Sequence, residues 1–571
     1  MTSHKQQTLV FRTRVSLLFA GLVAGAITVK LFCEQVPLRP ARLALAQEIL
    51  PGLAPEDGEP GGIFSLDGVP LAWSVVRNSI CANPTSYSSE AQREYVAENL
   101  TRLTGVEYHR IYPRLCMKKS KFCYVARQVP PEVEEQVMGM RLPGVFVVPE
   151  YSRLYPESAA AANAIGYRGV DNVGLTGIER IWGGCLDGLP STRRDDFDHQ
   201  GRTILGPSRH FSPAVPGSRV VLTIRMPLQR CVEAAMDELW EAHQPLVATC
   251  TVLDPRTGDI LALSARPTFD PNDPSSARPE DFVCRQACDV YAPGSTFKTP
   301  MVGAALDAGA VTPNTTVHCP GTTVIGDRPL RCWGDWAVKG HGYLHPIGVI
   351  AKSCNPGAAR IALMLGKDKV YEYLERMHIQ ETCDSGLDNE RPGFLLPKSR
   401  QYERGVANIG FGQGVDVTDL HLLAIYGAIA NGGTFYYPNI VKEVRSANGD
   451  LIRRREPCEG GRVFKKGTTE LLLRYLEEAV VNGTGRPASI PGVRVGGKTG
   501  TSQIFDPETR TFLEGAYVMS FVAVAPVEAP RFVVLVRVDR PTSGEHGSDT
   551  AAPTARRIIK DAMRLSAELE V

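Results

Sequence analysis

ATCTVLDPRTGDILALSA, residues 248–265, places two β-prone runs on either side of Pro255-Arg256-Thr257-Gly258. Val, Ile, Thr and Leu flanking a Pro/Gly turn read as two alternating strands of a hairpin. Just upstream, SRVVLTIR (218–225) is another β-rich run, and PLQRCVEAAMDELWEAH (227–243) has helical apolar spacing at Leu228, Val232, Ala235, Met236 and Leu239. Pro227 suits the first turn of that helix. Far downstream, YVMSFVAVAP (517–526) and RFVVLVRV (531–538) flank an acidic, Pro-containing turn, and AAPTARRIIKDAMRLSAEL (551–569) closes the chain as a helix. Strand and helix runs in this order predict an α+β fold, an antiparallel sheet with helices on both sides and a helical region inserted in the middle.

The chain has 571 residues, room for two or three domains. Lys plus Arg number 63 and Asp plus Glu 62, a net charge of +1 that gives no global pull on nucleic acid. Residues 1–14 carry Lys5, Arg12 and Arg14 and no acid; VSLLFAGLVAGAITVKLFC (15–33) comes next with one charge, Lys30. Nineteen helical residues reach roughly 28 Å, close to a hydrocarbon core. The basic flank predicts a cytoplasmic tail (1–14), a transmembrane anchor (15–33) and everything later on the outer side of the inner (plasma) membrane. Ala24-Gly25-Ala26 also fits a cleaved signal peptide, the competing reading.

Of fourteen cysteines, thirteen lie beyond Cys33. Cys116/Cys123 and Cys319/Cys332 could pair in an oxidising compartment. Cys284 and Cys288 could be half of a zinc site, but no second Cys/His pair has matching spacing, so structural or free thiols are expected. SSEAQREYVAENLTRLTG (88–105) is an amphipathic segment, and GVDNVGLTGIERIWGGCLDG (169–188) a Gly-punctuated turn with a short helix. Arg453-Arg454-Arg455 reads as a solvated turn.

Three motifs carry chemistry. In Ala292-Pro293-Gly294-Ser295-Thr296-Phe297-Lys298, Pro-Gly marks a turn and TFKTPMVGAALDAG a helix closed by Gly309. Ser295 then stands at a helix start with Lys298 on the same face. A serine alcohol needs a base, and a buried lysine of lowered pKa can be one. Ser353-Cys354-Asn355 interrupts two apolar helical runs; Ser353 could relay a proton, and Asn355 offers a donor and an acceptor to an amide backbone. Lys498-Thr499-Gly500-Thr501 ends a β-prone run: Lys498, Thr499 and Thr501 suit a carboxylate, and Gly500 leaves space for a substrate against the strand. Chance predicts about one or two S-x-x-K matches in such a chain but only about 0.01 K-T-G-[ST] matches, and here the motifs occur in order. His341 and His546 could seed a Ser-His-Asp triad; with Ser295 and Lys298 available, loop or supporting roles are expected instead.

These motifs resemble those of class B penicillin-binding proteins, membrane-anchored peptidoglycan D,D-transpeptidases. RLYPESAAAANAIGYRGVDNVGLTGIE (153–179) is similar to the family's membrane-proximal motif, with Arg153, Gly166, Gly174, Gly177 and Glu179 in place. VLDPRTGDILALSARPTFDPN (252–272), NIGFGQGVDVTDLHLLAIYGAIANGG (408–433) and SFVAVAP (520–526) resemble its transpeptidase domain. In GGIFSLDGVPLA (61–72) the family's usual opening Arg-Gly pair is missing. The resemblance implies a pedestal or dimerisation-type domain over 34–210 and a transpeptidase domain over 211–571. It implies that Ser295 attacks the penultimate D-Ala carbonyl of a stem peptide, with Lys298 as base. Ser353 and Asn355 would assist, Lys498, Thr499 and Thr501 would hold the terminal carboxylate, and backbone N–H groups of Ser295 and Thr501 would hold the oxyanion. No metal or cofactor is implied; β-lactams would acylate Ser295.

Between the anchor and residue 210 there is no recognisable glycosyltransferase motif, so the resemblance implies a polymerising partner, a SEDS-type glycosyltransferase, among divisome membrane proteins. HGSDTAAPTARRII (546–559) and the absence of a long insert favour the septal branch over the side-wall one. A β-lactam-hydrolysing or sensing protein can share the three motifs, but no extra base for deacylation is assignable. A scaffold that has lost activity is the third reading, against which the intact motifs argue.

Overall fold

The computed structural model describes residues 57–117, 119–194, 210–506 and 511–568. The expected tail and anchor (1–33) lie outside the described residues, among which no helix is long and apolar enough to cross a membrane. A short hairpin pairing Thr192–Arg194 with His210–Ser212 stands by itself. Residues 59–189 and 216–571 form one compact unit, which holds all three motifs.

A five-stranded antiparallel sheet forms its centre. Its strands are β1 (Val247–Leu253), β2 (Ile260–Arg266), β3 (Gly496–Asp506), β4 (Thr511–Ala525) and β5 (Phe532–Asp539), in the order β3-β4-β5-β1-β2. The helices that matter are α1 (Met226–His243), α2 (Lys298–Asp307), α3 (Pro346–Ala351), α4 (Asn355–Leu365), α5 (Asp419–Ala430), α6 (Lys466–Val481) and α7 (Ala551–Glu568). Leu228, Val232, Met236 and Leu239 of α1 and Ile558 and Ile559 of α7 pack on one face of the sheet, against Cys250, Val252, Phe521, Val534 and Val536. On the other face Leu253, Val522, Val533 and Leu535 join a larger core with Phe297, Met301, Leu422, Ile425 and Leu472. Covered on both faces, β1 and β2 bury every residue, which corrects the expected half-exposed alternation. The hairpin turn itself closes at Gly258, whose φ of +78° only glycine adopts without strain.

The middle of the chain is not all helix. Two small antiparallel ladders, Val317–Cys319 with Gly342–Leu344 and Thr322–Ile325 with Arg328–Arg331, lie between α2 and α3. α5 is buried on all sides and is the hub of this helical region.

A second sheet gathers strands from three distant parts of the chain: 63–64, 70–82, 123–126 and 145–154 pair with 219–222, 441–445 and 451–454. Arg453 and Arg454 therefore stand in a strand, not a turn, and Arg454 pairs with Glu443 at 3.0 Å. The helix Glu90–Thr104, capped by Ser89 and closed by the left-handed Gly105, covers Ile80 and Val125 with Val96, Ala97 and Leu100. The membrane-proximal motif folds around one carboxylate. Glu179, fully buried, binds Arg153 at 2.7 Å and Arg168 at 2.5 Å. Gly166 and Gly174 permit backbone approaches in which a Cβ would lie 1.9 Å from Thr176 O and 2.0 Å from Glu179 O.

Candidate active site

Ser295 sits in a 3₁₀ turn, Gly294–Phe297, that runs directly into α2. One turn on, Lys298 is fully buried and its Nζ donates to Ser295 Oγ at 2.9 Å. Among the described residues no other side chain is hydrogen-bonded to Ser295 Oγ. The turn is fixed from three sides. Tyr426 Oη of α5 donates to Thr296 O at 2.7 Å, Gly294 N donates to Gly412 O at 3.0 Å, and Ser502 Oγ of β3 donates to Ala292 O at 2.7 Å. Gly412 comes from the 408–433 run, and a Cβ there would lie 2.0 Å from Gly294 O.

Ser353 occupies the break between α3 and α4 with φ +54°, a left-handed conformation rare for a serine. Cys354 caps α4, its Sγ accepting from Gly357 N. The loop thereby delivers three acceptors to one ammonium: Lys298 Nζ lies 2.6 Å from Ser353 O, 3.1 Å from Ser353 Oγ and 2.6 Å from Asn355 Oδ1. Asn355 Nδ2 in turn donates to Arg331 O at 3.2 Å.

Lys498 reaches the same hydroxyl from β3. Its Nζ donates to Ser353 Oγ at 3.0 Å and to Thr499 O at 3.0 Å, and the residue is fully buried. The amine thus sits beneath the cleft, and Thr499 and the half-buried Thr501 are the outer members of the motif. Thr499 Oγ1 is 2.8 Å from Thr484 Oγ1, a residue that no motif pointed to. β3 is an edge strand, paired with β4 alone.

Burial lowers the pKa of Lys298 to about 8. Burial first, and then the charge of Lys298, push Lys498 well below the ordinary lysine value. A base that is partly neutral near physiological pH is thus in contact with a serine hydroxyl.

Gly500 has a packing reason to be glycine in addition to the expected one. A Cβ there would lie 2.2 Å from Ser520 Oγ of β4, 3.0 Å from Thr296 Cγ2 and 3.2 Å from Pro293 O. Its missing side chain lets the nucleophile turn close on the sheet. Gly547, in the loop before α7, lets that loop approach the same strands: a Cβ would lie 2.5 Å from Ser520 O and 2.7 Å from Gly500 O.

Neither of the two tempting histidines is hydrogen-bonded to Ser295. His546 is edge-on to Trp333, ring centroids 6.0 Å apart, and His341 Nδ1 faces Cys332 and Cys319 at 3.5 and 3.7 Å. All thirteen described cysteines are free thiols, the expected pairs Cys116/Cys123 and Cys319/Cys332 included. Behind the turn, Arg537 of β5 is buried among Asp289, Asp419 and Asp539 and lies over the Tyr291 ring at 4.8 Å. Asp539 lies two residues along the same strand, whereas Asp289, Tyr291 and Asp419 come from two distant segments that nothing local in the sequence marks.

Residues 248–560 match the family described as penicillin binding protein transpeptidase domain, and residues 56–222 the one described as penicillin-binding protein dimerisation domain. Stage V sporulation protein D of Bacillus subtilis is 29% identical over 553 residues, covering 96% of this chain and 84% of that protein. Peptidoglycan D,D-transpeptidase FtsI of Escherichia coli K12 is 29% identical over 512 residues, covering 88% of this chain and 83% of FtsI. The crystal structure of penicillin binding protein 2X from Streptococcus thermophilus superposes with a TM-score of 0.73 at 24% identity, covering 91% of this chain and 81% of that one. With a nucleophile turn, a Ser-x-Asn loop and a Lys-Thr-Gly strand converging behind a dimerisation-type module, the chain belongs to the class B penicillin-binding proteins.

Proposed function

We propose that the protein is the serine D,D-transpeptidase of septal wall synthesis, held in the plasma membrane by residues 15–33 with its catalytic domain outside. The observation that carries the chemistry is the contact of Ser295 Oγ with a buried Lys298 amine, itself joined through Ser353 to Lys498.

A stem peptide ending in D-Ala-D-Ala lies along the free edge of β3, adding itself to the sheet as a strand. Thr499 and Thr501 receive its terminal carboxylate, with the Lys498 charge behind them. At pH 7 roughly one Lys298 in ten is neutral at a pKa of about 8. That amine takes the Ser295 proton as Oγ bonds to the penultimate D-Ala carbonyl carbon. Backbone N–H groups of Ser295 and Thr501 hold the oxyanion. The carbon–nitrogen bond to the last D-Ala then breaks, and the proton passes from Lys298 through Ser353 Oγ to the departing amine. An amine of a neighbouring stem peptide attacks the ester, gives up its proton along the same path, and restores Ser295 as the cross-link forms. A β-lactam takes the peptide's place and leaves a long-lived acyl group on Ser295.

The septal role draws support from the likeness to FtsI, named a peptidoglycan D,D-transpeptidase; the PenA proteins of Neisseria meningitidis, named probable peptidoglycan D,D-transpeptidases, support the reaction. A relative named for sporulation extends the resemblance beyond vegetative division. A SEDS-type glycosyltransferase as partner rests on the lack of a polymerising motif in residues 34–210.

Mass spectrometry of the protein treated with a labelled penicillin tests the chemistry. One stable adduct on the peptide containing Ser295, absent from Ser295→Ala, is expected; rapid release of hydrolysed penicillin makes the protein a β-lactamase instead. A tagged copy at midcell supports the septal role, and one spread along the side wall refutes it. Replacing residues 15–33 should abolish co-purification with the glycosyltransferase.

A further inference from the structure

Four side chains that the reaction does not use converge beside the Ser353–Asn355 loop. The ligand atoms of Cys319, Cys332, His341 and Cys354 all lie within 4.8 Å of one another. Each comes from a different place: the end of the strand Val317–Cys319, the residue after the strand Arg328–Arg331, the residue before the strand Gly342–Leu344, and the cap of α4. The three cysteines are buried, and all are free thiols.

We propose that this cluster is a structural zinc site. Around a tetrahedral Zn²⁺, with metal–sulfur bonds of about 2.3 Å and a metal–nitrogen bond of about 2.0 Å, a nitrogen and a sulfur stand about 3.5 Å apart. His341 Nδ1 lies 3.5 Å from Cys332 Sγ and 3.7 Å from Cys319 Sγ. The ring has no other polar reason for its orientation: Nε2 is buried without a partner, and the plane stacks on Trp336 at 4.3 Å. A disulfide would use two sulfurs and leave the third and the imidazole unexplained, whereas three thiolates and one imidazole complete a soft tetrahedral set that selects zinc over harder ions. Four protein ligands leave no open position, so the metal holds structure and does no chemistry. On binding, three S–H bonds give way to three S–Zn bonds and three protons go to solvent, while neutral His341 binds through Nδ1 and keeps its proton on Nε2.

The consequence is positional. Cys354 lies between Ser353, in its left-handed conformation, and Asn355, and both of these hold Lys298. The metal ties that loop to the two small ladders, which have little core of their own.

The test uses the full-length protein purified without chelators or added metal. Elemental analysis should find one zinc per chain, reduced at least tenfold in Cys319→Ser and His341→Ala and unchanged in Cys116→Ser, whose thiol is exposed and far along the chain. Should either variant fail to fold, the wild-type protein still decides the matter. Growth on cobalt should give the thiolate-to-cobalt charge-transfer and tetrahedral ligand-field bands, and stripping the metal should lower the unfolding temperature and slow penicillin acylation at least tenfold, both reversed by zinc. Wild-type protein without bound zinc, or with a disulfide among Cys319, Cys332 and Cys354, overturns the proposal.

Discussion

Lys298 and Lys498 share one hydroxyl: their Nζ atoms lie 3.1 Å and 3.0 Å from Ser353 Oγ, and both side chains are fully buried. Burial first, and then the charge of Lys298 held that close to the same oxygen, loosen the hold of Lys498 on its proton. Ser353 is the only hydroxyl bonded to both among the described residues.

Replacing Ser353 by Ala should therefore cost far more in rate than in stability. Lys298 keeps Ser353 O and Asn355, and Lys498 keeps Thr499 O. Loss of a proton-transfer group costs about 100-fold or more in acylation rate, while one lost buried hydrogen-bond partner costs about 1–3 kcal/mol. Stopped-flow acylation by a fluorescent penicillin alongside calorimetry separates the two; a variant that acylates at the wild-type rate would remove Ser353 from the path.

The pH profile of acylation is set by Lys298. With its pKa lowered to about 8 by burial, the amine is charged at pH 6 and free above pH 8. Only the free amine can accept the Ser295 proton, so the rate should rise about tenfold per pH unit below 8 and level off above it. Lys498 is also pushed down, by burial and then by the charge of Lys298, so for a substrate whose carboxylate needs that charge its loss as pH rises turns the profile down at the alkaline end. Acylation that is flat from pH 6 to 9 is incompatible with Lys298 as base.

Gly500→Ala should separate the nucleophile turn from the sheet. The new methyl meets Ser520 Oγ at 2.2 Å and the turn at Thr296 and Pro293. Overpacking of this kind costs about 1–3 kcal/mol, and here it also displaces Ser295. Removing the worst contact in Gly500→Ala/Ser520→Gly should restore part of the acylation rate. Gly547→Ala has no such remedy, because the atoms it meets are the backbone carbonyls of Ser520 and Gly500. Equal acylation by the single and double variants would show that the Ser520 contact is not what matters.

Features that are local or regular are legible in the sequence. Ser295 and Lys298 are three residues apart on one helical turn, so their contact is a consequence of helix geometry. The helices at 226–243 and 551–568 announce themselves by apolar spacing. The meeting of Lys498 with Ser353 spans 145 residues, and only the order of motifs points to it. The role of Gly500 is not legible, because its constraint comes from Ser520 across the ladder. The Cys319–Cys332–His341–Cys354 cluster is hidden because its ligands sit in or beside ladders of three or four residues per strand, without periodicity, and at the cap of α4, at spacings unlike the short Cys-x-x-Cys pairs of familiar zinc sites.

The buried arginine behind the nucleophile turn gives the last expectation. Arg537 is one cation among three carboxylates: 2.5 Å from Asp289, 3.2 Å from Asp539 and 3.5 Å from Asp419. Burial raises Asp539 to about 6 and raises Asp419, the arginine pulling both back down. Arg537→Met takes the guanidinium from Asp419 and Asp539 and leaves Asp289 only Arg285 at 3.7 Å, which costs about 3–5 kcal/mol. The size of that loss should depend on pH. Without the guanidinium the pKa values of Asp419 and Asp539 in the folded state rise further above their unfolded values, so ionisation opposes folding more strongly as pH rises and less as they protonate. The gap in unfolding temperature between wild type and Arg537→Met should therefore be wider at pH 8 than at pH 5. Acylation should fall with it, because Asp289 and Tyr291 lead directly into the turn that carries Ser295, and Tyr291 Oη donates to Asp419 at 2.8 Å. A gap of equal width at both pH values would mean that the ionisation of Asp419 and Asp539 does not depend on Arg537 and that Arg537 acts there by packing alone.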